Sequence, residues 1–101
     1  MTFVDDILTA IRSWLNSMVR DAAYSHSKTR VLLAGQIRGL PPISTLTEAK
    51  TSLTSLRAFV RLNAATGEAA DLHLKVLRRC NELLCTINGL LSRVGYSVTQ
   101  V

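Results

Sequence analysis

Acidic side chains are nearly missing from the middle of this 101-residue chain: from residue 28 to residue 61 Glu48 stands alone against six basic groups. No acid at all occurs between Ala49 and Gly67. Aromatic residues are scarce as well, at 5%, which argues against a sheet protein and against a platform for stacking single-stranded bases. Only two cysteines are present, Cys80 and Cys85. Five positions apart on one helix, they would point roughly 140° away from each other, so an intrahelical disulfide is excluded and a reducing compartment is indicated.

Long apolar runs are lacking too. No stretch approaches the roughly 18 consecutive apolar residues of a membrane span. The opening Met1-Thr2-Phe3-Val4-Asp5-Asp6 lacks the basic and apolar regions of a signal peptide, so the expected location is the cytoplasm, with no membrane partner. A Gly-rich phosphate loop, a nucleophile elbow and a paired acidic motif are all missing. His26 and His73 have no cysteine or carboxylate at metal-ligand spacing. The expectation is a non-enzymatic protein with no metal and no cofactor, in which both histidines are surface groups.

What is present is a helical alphabet. Apolar residues make up 48% of the chain, enough for one core, and leucine dominates them, which favours helices over strands. Val4, Ile7, Leu8, Ile11, Trp14, Leu15, Met18, Val19 and Ala22 recur at intervals of three and four, predicting a helix from about Phe3 to Tyr24. Thr2 and Asp5 have N-cap spacing there, and Trp14 lies in the apolar stripe, as a core or interface residue would. A shorter helix is predicted from Lys28 to Gln36, with Val31, Leu32, Leu33 and Ile37 inward. Pro41-Pro42 stop it, and Gly39–Ser44 reads as a linker within a single domain, 1–101.

Thr45 and Glu48 then have capping-box spacing, which satisfies two otherwise orphaned amides. A third helix follows, with Leu46, Ala49, Leu53, Leu56 and Val60 as its apolar line and Thr66-Gly67 as its close. A fourth runs from Glu68 to about Val94 on a stripe that includes Leu72, Val76, Cys80, Leu83, Leu84, Ile87 and Leu91, with Gly95 as its end. Leu74 and Cys85 lie on a partly apolar second flank of this helix. The predicted architecture is all-α: a small bundle of about four helices with a long C-terminal helical hairpin. So thin a core predicts a homodimer.

The net charge is +5, and nine of the twelve basic residues are arginine. Lys50, Thr54, Arg57 and Arg61 recur at intervals of four, three and four, which places them on one side of the third helix, off its apolar line. Lys75, Arg78 and Arg79 add cations on the fourth helix, where Glu82 has the spacing to pair with Arg78. Guanidinium groups offer forked donors to phosphate, and hydroxyls both donate and accept, so this combination suits a nucleic-acid backbone and ribose. The bland alternative is a solvated helix face. An acid-free stretch of this length tips the balance, because ordinary surface helices interleave both signs. No helix-turn-helix signature is present, and long hydroxyl-bearing helices suit A-form duplex read by shape.

In its size, its helical hairpin, its basic helix faces and the segment Thr86-Ile87-Asn88-Gly89-Leu90-Leu91-Ser92-Arg93, the chain resembles the nodavirus RNA-silencing suppressors. The resemblance implies an all-helical homodimer that lies along double-stranded RNA without reading its sequence and withholds it from the host silencing machinery. A host silencing protein would be a further partner. On that reading Lys50, Thr54, Arg57, Arg61, Lys75, Arg78 and Arg79 form the RNA-facing set. The competing expectation is an all-helical protein–protein adaptor, in which the exposed apolar flank at Leu74 and Cys85 matters more than the arginines.

Overall fold

The computed structural model describes residues 3–63 and 68–99, without the side chains of residues 68, 69 and 94–99. These residues form four helices and no strand, an all-α small bundle. The helices are α1 (Phe3–Ala23), α2 (Lys28–Arg38), α3 (Leu46–Leu62) and α4 (Glu68–Thr99). Helix α4 has 32 residues, roughly 48 Å at 1.5 Å per residue, and it accounts for most of the molecule's 53 Å long axis.

Two pairings build the bundle. Helices α3 and α4 form the hairpin with the most extensive contact, α1 and α2 form a second pair, and α3 touches both of the latter. The core follows the apolar lines: Leu8, Ile11 and Leu15 of α1 meet Leu53, Leu56 and Val60 of α3 and Val76, Cys80, Leu84 and Ile87 of α4. Ile43 of the linker is buried with them. Trp14 packs against this cluster while staying only partly covered.

Local chemistry sets the ends. Ser27 caps α2, its side chain accepting from the Arg30 amide at 3.4 Å. The helix runs two residues beyond its predicted end and stops at Gly39, whose N–H donates to the Gly35 carbonyl at 3.2 Å. It is therefore over before Pro41-Pro42 is reached. The Thr45 hydroxyl accepts from the Glu48 amide at 3.1 Å. Reciprocally, the Glu48 carboxylate accepts from the Ser44 amide at 3.3 Å, one residue earlier than a standard capping box. The linker is pinned to α1 by Arg12, whose Nη1 donates to the Ile43 carbonyl at 2.7 Å.

The structure corrects four expectations. Val31 and Leu32 face outward, 50% and 60% exposed, while Leu33, Ala34 and Ile37 are buried. At 100° per residue the last three share one arc, and Val31 and Leu32 both fall more than about 100° from its centre. Helix α3 closes at Leu62, where the Asn63 amide and side chain both donate to the Phe59 carbonyl at 3.0 and 2.8 Å. Thr66-Gly67 and Thr2 lie outside the described residues. Helix α4 continues through Gly95 to Thr99, so that glycine does not end it. His73 is no surface group: it is 7% exposed, and its Nδ1 has no hydrogen-bond partner.

Candidate nucleic-acid interface

Capped by Thr45 and held down by Leu53, Leu56 and Val60, α3 presents its other side to solvent. Lys50, Thr54 and Arg61 are exposed there, and Arg57 is half-buried. Their spacing confines them to an arc of about 60°. No carboxylate forms an ion pair with any of the three cations among the described residues. Nearby Thr51 is also exposed, its hydroxyl donating to the Thr47 carbonyl at 3.1 Å, which leaves its lone pairs to accept.

Arg57 is the positioned member. Its Nη1 donates to Asn81 Oδ1 on α4 at 3.1 Å. That bond spans the hairpin and takes up one of five guanidinium donors, leaving the rest of the fork for an anion. The guanidinium also acts on Cys80. Burial pushes the Cys80 thiol up from 9.0 to about 11, and the nearby Arg57 charge opposes that rise. Asn81 carries no charge and no sequence motif, so the pattern that found Arg57 missed its partner.

The α4 cations divide. Lys75, Arg78 and Arg79 are all exposed. Arg78 lies three positions before Asn81, about 60° away around the helix and about 160° from the buried Cys80, so it points outward on the solvent side of α4. Lys75 and Arg79 lie about 120° and 160° from Asn81. Lys75 instead turns toward α1, where it borders a cavity with Trp14. Arg79 pairs with Glu82 at 3.5 Å; the expected partner of that carboxylate was Arg78. Of the seven residues expected to act together, the fold thus places Lys50, Thr54, Arg57 and Arg61 on one arc of α3, leaves Arg78 exposed on α4 one turn from Asn81, and directs Lys75 and Arg79 elsewhere.

Among the described residues no group of three or more histidine, cysteine or acidic side chains is placed to hold a metal ion. No described helix is long and apolar enough to cross a membrane. Leu74 and Cys85 are exposed, as expected for the second flank of α4. No family model matches the chain, and no curated protein or solved structure matches it significantly.

Proposed function

We propose that this protein binds double-stranded RNA without reading its sequence, through the exposed face of α3 together with Arg78. The observation that carries this reading is the row Lys50–Thr54–Arg57–Arg61: three cations and a hydroxyl in one arc, with no acidic partner among the described residues. Such a row neutralises successive phosphates and offers hydroxyls to the ribose 2′-OH, the group that marks RNA. Duplex is favoured over single strands because Phe59, the aromatic residue of α3, packs against the core and leaves no stacking platform on this helix.

A second copy of the chain would lengthen the face and cover apolar surface that one copy leaves open, and the proposal includes that homodimer. By the resemblance to nodavirus suppressors, the consequence in a cell is sequestration of duplex RNA from silencing, in the cytoplasm. Titrating labelled random-sequence duplex RNA against the wild-type chain and Lys50→Gln/Arg61→Gln tests the assignment. Both positions are exposed, so the variant is expected to keep its helicity and lose about tenfold or more in affinity, two phosphate contacts' worth. Equal affinity in the two proteins would reject α3 as the interface.

A protein-adaptor reading draws on a different observation. Val31, Leu32, Leu62 and Leu74 are exposed large apolar residues, and helix faces of this kind dock in grooves. Under that reading Leu74→Ser removes a partner and nuclease treatment does not.

A further inference from the structure

The geometry points to a binding site for a small zwitterion of the amino-acid class in the cavity where the end of α1, the start of α2 and the start of α4 meet. Its volume is about 310 Å³, at the lower end of what small-ligand pockets occupy. The site is separate from the α3 face, and it stands whether or not the chain binds RNA.

Two kinds of side chain line it. The apolar part is Trp14 and Met18 from α1 with Leu72 and Val76 from α4. Val76 is buried in the core, and the other three pack against it. The charged part is Asp21 from α1, Arg30 from α2, and Asp71 and Lys75 from α4. All four are exposed, and no ion pair joins them among the described residues. Two carboxylates and two cations thus surround an aromatic and aliphatic wall, with no ion pair formed by any of the four among the described residues.

That balance selects the ligand. A simple anion would meet Asp21 and Asp71, and a simple cation would meet Arg30 and Lys75, so each would offset attraction with repulsion. A neutral apolar molecule would cover the wall and strip water from four charges while pairing none of them. A zwitterion with an apolar body satisfies both parts: its carboxylate faces Arg30 and Lys75, its ammonium faces Asp21 and Asp71, and its side chain lies on Trp14 and Met18. The indole face adds a favourable contact for an ammonium or an aromatic ring. Lys75, which the sequence groups with the RNA-facing cations, is assigned here instead.

Trp14 is the single tryptophan of the chain, so the site carries its own reporter. The test titrates L-phenylalanine into the full chain, following tryptophan emission at the red edge of its absorption, with calorimetry as an independent readout. N-acetyl-L-phenylalanine, which lacks the ammonium, and L-phenylalaninamide, which lacks the carboxylate, serve as controls. The expected result is a saturable response to L-phenylalanine that weakens about tenfold or more with either control, the scale of one lost charge-assisted contact. Asp71→Asn and Lys75→Gln, both at exposed positions and checked for helicity, are expected to weaken binding to the same degree. No saturable response by either readout, equal responses to all three compounds, or unchanged affinity in both variants would each overturn the assignment.

Discussion

Arg57 on α3 donates to Asn81 on α4 across 3.1 Å, so one residue of the basic row is both a strut of the hairpin and a candidate phosphate donor. The two roles separate experimentally. Asn81→Ala leaves the Arg57 charge in place but frees the side chain to move, and a loss of about threefold in duplex-RNA affinity is expected. Arg57→Ala removes the charge and should cost about tenfold. If Asn81→Ala proves as damaging as Arg57→Ala, with helicity intact, the contact to RNA is made through Asn81.

Arg12 is a second strut, from α1 to the linker, and one with no bearing on RNA. Its 2.7 Å bond to the Ile43 carbonyl ties α1 to the proline linker and satisfies a backbone acceptor beside a buried side chain. Arg12→Ala should lower stability by about 1 to 2 kcal/mol, as for a hydrogen bond from a charged group. Chemical denaturation measures this, and duplex-RNA affinity measured well below the transition should not change. An unaltered midpoint would show that water replaces the guanidinium at no cost.

Core substitutions divide by whether the side chain is apolar or polar. Leu56 is fully buried on the line facing α4, and Leu56→Ala should cost about 2 to 5 kcal/mol through lost burial and a cavity. Ser52 is equally buried, but its hydroxyl has no hydrogen-bond partner. Ser52→Ala removes an unsatisfied polar atom without changing the packing much, and it should raise the denaturation midpoint or leave it in place, by about 1 kcal/mol at most. A clear loss on Ser52→Ala would mean that the hydroxyl has a partner in solution.

The two cysteines should differ in reactivity and in their effect on stability. Cys85 is exposed and Cys80 buried, so a thiol reagent should label Cys85 in the folded chain and reach Cys80 only on unfolding. Burial also pushes the Cys80 thiol from 9.0 to about 11. Below about pH 9 the thiol is protonated in both folded and unfolded chains. Between about 9 and 11 the unfolded chain releases the proton and the folded chain holds it, so stability falls as pH rises, by up to roughly 3 kcal/mol. Cys80→Ala should flatten that part of the stability-against-pH curve; an identical slope in the variant would assign it to other groups.

The four helices were legible because their apolar lines are long and periodic: α3 buries Leu46, Ala49, Leu53, Leu56 and Val60, each of them read from spacing alone. The inward face of the eleven-residue α2 is ambiguous in the sequence because three consecutive apolar residues, Val31, Leu32 and Leu33, fit more than one face, and only tertiary packing chooses Leu33. His73 is equally ambiguous, since a lone polar residue on a helix carries no mark of how deeply the neighbouring helix covers it. Of the basic row, the α3 half follows from its own periodicity. Where the α4 cations point depends on how α1 lies against α4, and that docking is set by the shared burial of Leu8, Ile11 and Leu15 with Val76, Cys80, Leu84 and Ile87, which no local pattern records.

The most direct test of the central claim is a gel-shift titration of the purified chain with random-sequence duplex RNA, duplex DNA and single-stranded RNA at two salt concentrations. The expected result is tight binding to duplex RNA, weaker binding to the other two, and a loss of affinity at higher salt that reflects displaced counterions. Absence of binding to all three, or equal and salt-insensitive binding, would contradict the account and leave the α3 cations as ordinary solvated surface.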